Sequence, residues 1–294
     1  CYPGAEEGNH SMVSAPLLQV GVFLAAAAIA APLGRFTRMG AVLGYLAAGA
    51  LFGAGGYALQ ALNMEQLPTS TLQFSLEFAA AIILFDLGQR VSFGWIRRNP
   101  ALLGASALES GLTFLVVFAV MRWLEVAPLP SALIATISMS TSPAVVLAVT
   151  REVRAQGQVT ERVLLLTALN SIYAVVLSTL LLAWARLDTR GLVDDFLLHP
   201  AYLIVGSLAI AAVGARLFHL VAAFVVRDRA AQLILMLAVV SIVFATSVAL
   251  KLSPLLALLA CGAFVRTFDR GRRLASSDFG LVSALALMLF FALS

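Results

Sequence analysis

The sequence predicts an all-α protein that crosses a membrane about ten times, built on an inverted-topology repeat with one broken helix. Three observations predict it. Of the 294 residues 61% are hydrophobic and 12% charged, with a mean hydropathy of +0.98, so the chain cannot cover a soluble domain of this length with polar surface. Apolar runs of roughly 17 to 25 residues, enough to cross ~30 Å of hydrocarbon, recur along the chain, whereas a barrel would show ~10-residue alternating strands. Arginines, finally, gather in alternate loops.

In chain order the spans are expected at 16–33, 40–58, 72–88, 101–120, 131–150, 163–184, 201–226, 231–250, 253–266 and 278–294. Glu6 and Glu7 precede the first span where a secretory signal would carry positive charge, so it is read as an uncleaved helix behind a polar external tail, residues 1–12. Arg35 and Arg38 follow the first span, Arg90, Arg97 and Arg98 the third, and Arg151, Arg154 and Arg162 the fifth. Arg227 and Arg229 follow the seventh, and Arg266, Arg270, Arg272 and Arg273 the ninth, while the alternate loops hold only Arg122, Arg186, Arg190 and Lys251. Basic residues of short loops stay cytoplasmic, which places the N-terminus outside. The net charge of +4 then reflects topology, and no nucleic-acid partner is expected. Trp95, Trp123 and Trp184 fall at span ends, where indoles favour the headgroup layer. Cys1 in the tail and Cys261 in the ninth span make no disulfide framework.

The chain repeats itself. "MGAVLGYLAAGALFG" at 39–53 is similar in small-residue spacing to "LSPLLALLACGAFVR" at 252–266, and "LEFAAAIILFDLGQ" at 76–89 to "LVSALALMLFFALS" at 281–294. The arginine pattern runs the two copies in opposite directions, as in many secondary transporters. The expected divisions are a first repeat over 13–184 (spans one to six), a connector span over 185–230, and a second repeat over 231–294 that stops after its third helix. The chain is therefore expected to be a fragment of a protein with about thirteen spans.

Midway along the fifth span stands "ISMSTSPAVV", residues 137–146, with Ser138, Ser140, Thr141 and Ser142 ahead of Pro143. Proline lacks an N–H and clashes with the carbonyl four residues back, here Met139, while neighbouring hydroxyls can satisfy the liberated carbonyls. A helix break near Thr141 is expected, in the place where transporters bind ions at the bilayer midplane. The alternative is an ordinary proline kink.

Soluble-enzyme chemistry is not expected, and neither is a cofactor or a bound metal. His10, His199 and His219 are scattered, no nucleophile has a partnered base, and no glycine-rich phosphate loop is present. Gly44, Gly49, Gly53, Gly55 and Gly56 suit close helix packing in a membrane instead.

"STSPAVVLAV" at 140–149, followed by "LTALNSIYAVVLSTLL" at 166–181, resembles the paired fifth and sixth helices of the monovalent cation:proton antiporter superfamily, the sodium/proton exchangers. "VLGYLAAGALFG" at 42–53, "AIILFDLGQRVS" at 81–92 and "LSPLLALLACGAFV" at 252–265 are similar to its second, third and ninth helices. The resemblance implies a dimeric, elevator-like exchanger of Na+ or K+ for protons, serving pH homeostasis in a cell membrane, expected to be a bacterial inner membrane. Thr141 and Pro143 match the family's Thr-Asp-Pro at the broken helix, and Asn170 the Asn of its Asn-Asp pair. Ser142 and Ser171 stand where the two aspartates are expected, so coupling must come from elsewhere or be absent. The alternative function is a degenerate relative without proton coupling: channel-like, neutral-solute or regulatory.

An ionisable group in a membrane span is expensive and marks function by default. Glu109, near the middle of the fourth span, is the best substitute acid, since the resemblance puts that helix in the same core as the broken fifth. Its alternative is a carboxyl group that is simply protonated or bonded to neighbouring Ser106 and Ser110. Ion and proton binding is thus assigned to Glu109, Ser140, Thr141, Ser142, Asn170 and Ser171. Asp86, with Arg90 at i,i+4, reads as a structural ion pair. Glu77 is expected to line an entrance, and Arg216 and His219 sit where a long side chain can snorkel.

Overall fold

A computed structural model describes residues 40–61, 69–91, 99–190, 194–224, 229–268 and 276–293, together with Ala25 and Ile29. The described residues form α-helices, with no strand among them. In chain order these are α1 (Ala41–Ala61), α2 (Thr69–Arg90), α3 (Pro100–Trp123), α4 (Pro128–Ser138), α5 (Pro143–Glu152), α6 (Gln158–Arg190), α7 (Asp194–Ala222), α8 (Arg229–Ala249), α9 (Pro254–Phe268) and α10 (Ser276–Leu293). The polar tail and, apart from Ala25 and Ile29, the expected first span lie outside the described residues.

Each later span falls on one helix except the fifth, which falls on α4 and α5, so the all-α, polytopic class follows directly from the apolar runs. Leu72–Arg90, Pro100–Trp123, Pro128–Glu152, Gln158–Ala185, Pro200–Ala222 and Ala230–Ala249 are long and apolar enough to cross a membrane, making this a multi-pass membrane protein. Pro254–Phe268 is a shorter apolar helix. At 1.5 Å per residue, the 15-residue α9 is roughly 22 Å long, less than the hydrocarbon thickness.

The proline in the fifth span does break the helix. α4 stops at Ser138 and α5 begins at Pro143. Ser142 adopts the extended backbone that a following proline demands (φ −66°, ψ 114°) and caps α5 by accepting from Val145 N–H at 3.5 Å. Pro143 takes the first helical position, where its missing N–H costs nothing. One polypeptide segment thus supplies two half-helices with a four-residue gap, Met139 to Ser142, between them.

The chain divides into two compact units, residues 1–80 with 284–294, and residues 81–283. In the first, Ala292 is packed by Tyr45, Met288, Leu289 and Leu293. Gly49 lets backbones meet there, because a Cβ would collide with the Ala292 carbonyl, whereas no described residue approaches Gly53. In the second unit α9 is the innermost helix, with residues 256–263 and Val265 all buried. It packs on α7, α8 and α6, while α3 packs on α4 and α6, and α5 on α6. Gly88 and Gly262 make α2 and α9 touch backbone to backbone: a Cβ on Gly88 would strike the Leu259 carbonyl, and one on Gly262 the Phe85 carbonyl. This unit holds both polar sites described next.

Candidate functional site

The helix break meets α6 at Asn170, a buried residue 2% exposed. α6 carries Thr167, Asn170 and Ser171 along the flank that faces the gap, three and four residues apart as helical neighbours must be. Asn170 Nδ2 donates to Thr141 Oγ1 at 3.3 Å, and Ser171 Oγ shares its one proton between the Thr167 carbonyl at 2.9 Å and the Thr141 carbonyl at 3.4 Å. The unwound Thr141 is therefore held at its side chain and at its backbone from one helix.

α3 closes the other side. Its Ser106 and Ser110, one helical turn apart and both buried, donate to Asn170 Oδ1 at 3.0 and 2.9 Å. Glu109, on the same flank at the edge of that contact, is exposed in the isolated chain and accepts from Asn170 Nδ2 through Oε2 at 3.4 Å. A side-chain amide has two N–H donors and two carbonyl lone pairs, so Asn170 spends all four. The alternative that Glu109 is bonded to its serine neighbours is corrected: both hydroxyls go to Asn170, because they point at α6 from the buried face while Glu109 approaches from its rim.

Glu109, Thr141, Asn170 and Ser171 are thus brought together, and two of the assigned residues are not. Ser142 is exposed and occupied in capping α5, and Ser140 is exposed in the gap. The structure shows a neutral cluster of hydroxyl, amide and carbonyl groups with one carboxylate at its edge. Among the described residues no ion pair involves Glu109, and no group of three His, Cys, Asp or Glu residues could hold a metal ion. What the sequence reading missed is the Ser106 and Ser110 contact. Its only signal was small polar residues at i and i+4 in "ASALESG".

The second polar site is charged and buried. Asp86 of α2 lies 3.6 Å from Arg90, the partner expected from i,i+4 spacing, and closer still, 2.7 Å, to Arg151 of α5. Ser283 of α10 adds a bond to the same Oδ2 at 3.1 Å, and Arg151 also donates to the Gly280 carbonyl at 2.9 Å. Arg151 is 65 residues away in sequence, so no local spacing could reveal it. Elsewhere, Glu77 is exposed and accepts from Gln73 at 3.0 Å. Arg216 lies over the Phe268 ring at 5.1 Å, and His219 Nε2 sits 3.0 Å from the Val265 carbonyl.

The comparison with known families fits this geometry. A family model described as "sodium/hydrogen exchanger, transmembrane" matches residues 22–294, nearly the whole chain. No individual curated protein matches it significantly.

Proposed function

The chain belongs to the sodium/hydrogen exchanger family, and we propose that it exchanges a monovalent cation, Na+ or K+, for protons, with the Glu109 carboxylate serving each in turn. One observation carries this reading: a carboxylate meets the amide of Asn170 at a helix break, 3.4 Å away, and has no cationic side chain paired with it among the described residues. In a membrane such a charge must be neutralised. A proton and a monovalent cation are the two mobile species that can do so, and competition for one carboxylate is the essence of exchange. Thr141 and the carbonyls freed at the break offer neutral oxygens to replace part of a cation's hydration shell. Ser171 can add hydroxyl oxygen but no charge.

The same reading puts the protein in a cell membrane, a bacterial inner membrane by preference, as a homodimer with its N-terminus outside. The two copies of the inverted repeat, 13–184 and 231–294, flank a connector at 185–230. Single cysteines placed at Arg154 and at Glu125 test the orientation. Arg154 should react only with reagent on the cytoplasmic side and Glu125 only with reagent outside; labelling of both from one side would remove the inverted arrangement.

Glu109→Gln tests the assignment itself, because it keeps size and polarity and removes titration. In proteoliposomes holding the full-length protein it should abolish cation-dependent proton movement. Wild-type exchange persisting in this variant would exclude Glu109. A second reading, a relative that has lost coupling, is favoured by the serines at 142 and 171; it predicts that the wild-type protein passes ions or solute with no proton movement at all.

A further inference from the structure

Hydroxyls in these helices mostly bond back to the carbonyl four residues earlier. Thr113, Thr136, Ser138, Thr167, Ser241, Ser247 and Thr267 all do so, at 2.7 to 2.9 Å. Such bonds satisfy the hydroxyl locally and commit it to nothing else. Ser106 and Ser110 instead reach across to another helix and converge on one atom, Asn170 Oδ1. Both are buried, and the acceptor is buried with them.

That convergence decides what Asn170 can do. An amide oxygen with two lone pairs and two donors has nothing left for a cation, and the two N–H groups on the other side are aimed at Glu109 and Thr141. An N–H repels a cation and attracts a carboxylate. We propose that Ser106 and Ser110 are positioning residues of the exchange site: by occupying Asn170 Oδ1 they turn the amide so that only N–H faces the site, which makes Asn170 a holder of the Glu109 carboxylate and of the Thr141 hydroxyl, and not a ligand to the cation. The proposal rests on the reading of Glu109 as the exchanging group. It also reassigns the sequence expectation for Asn170, which counted it among the ion-binding residues.

Removing both hydroxyls leaves Oδ1 buried without donors, free to rotate toward the site, and releases Glu109 from its fixed partner. A hydrogen bond to a charged group contributes about 1.5–3 kcal/mol, roughly 10-fold or more in an equilibrium. The experiment measures cation-dependent proton movement in proteoliposomes of the full-length protein, separating KM for the cation from maximal rate per folded protein. Ser106→Ala with Ser110→Ala should raise KM about tenfold while the maximal rate stays within about threefold. In an Asn170→Ala background the same pair of changes should leave KM where Asn170→Ala alone puts it, because the serines act only through that amide. An unchanged KM in the double-serine variant, or serine and asparagine effects that simply add, would overturn the proposal. Where the double variant does not fold, Ser110→Ala alone, which leaves one donor on Oδ1, should raise KM by a smaller factor, and no rise would count equally against it. Glu109→Gln is run beside them. Exchange lost there with KM unmoved in the serine variants defeats this inference alone, whereas exchange retained in Glu109→Gln defeats the functional reading beneath it.

Discussion

Two carboxylates in the 81–283 unit sit at helix contacts and meet opposite fates. Asp86 is 6% exposed, lies 2.7 Å from Arg151, and is backed by Arg90 and Ser283. Glu109 stands at the edge of a neutral cluster, touched by an amide and, among the described residues, by no cation. Both clusters grip the broken segment, one at Thr141 in the gap and the other at Arg151 near the end of α5. A charge that finds its counter-ion inside the protein is spent on holding helices together. One that finds only an amide N–H keeps its demand for a positive charge, and on the proposed reading mobile ions meet it. The difference separates architecture from transport more sharply than the presence of an acid in a membrane helix, which both sites share.

The comparison breaks most visibly if the roles are exchanged by mutation. Glu109→Gln is expected to abolish exchange with little change in the melting temperature of the purified protein, since it removes no ion pair. Asp86→Asn should do the reverse. It leaves the part-buried Arg151 without its carboxylate, and breaking one side of a buried pair costs at most on the order of 3 kcal/mol, so detergent-solubilised protein should melt below wild type while the surviving fraction still exchanges. Exchange lost in Asp86→Asn at unchanged stability would merge the two sites into one mechanism.

Smaller effects sharpen the contrast. Ser171→Asp returns a carboxylate to the neutral cluster beside Thr141, with no arginine to meet it; cation affinity should rise by a factor of about ten if the cluster is an ion site, at some cost in stability from the desolvated charge. A loss of stability with no gain in affinity would mean that the cluster only keeps its own polar groups satisfied. Arg90→Ala is expected to do least. Its side chain is 40% exposed and 3.6 Å from Asp86, the geometry of a pair worth under about 1 kcal/mol, so melting temperature should move far less than in Arg151→Ala. Equal losses from the two arginine variants would show that Arg90, and not the partner 65 residues away, carries the Asp86 site.

Sequence alone settled whatever depends on local chemistry. The existence and order of the helices from α1 to α10 follow from apolar runs that must satisfy their backbone internally in lipid, and the gap at 139–142 follows from one proline whose ring excludes the Met139 carbonyl. The Asp86–Arg90 proximity follows from the helical repeat, and Glu109 stood out because few ionisable groups lie in the spans. None of these needs a neighbour from another helix.

Tertiary structure decided everything that requires two helices at once. Ser106 and Ser110 were legible as hydroxyls beside Glu109, but their destination, Asn170 Oδ1 on α6, depends on how α3 rotates against α6, and a helix sequence carries no record of that angle. Arg151 was read as one more basic residue after a span, and only the packing of α5 near α2 and α10 makes it the principal partner of Asp86. Ser142, matched by sequence to an ion-binding position, turned out to cap α5, because the residue before a proline at a helix start has its side chain over the first free N–H groups. Periodicity tells which residues share a face; which face meets which is fixed only when side chains from distant segments compete for the same buried hydrogen-bond partners.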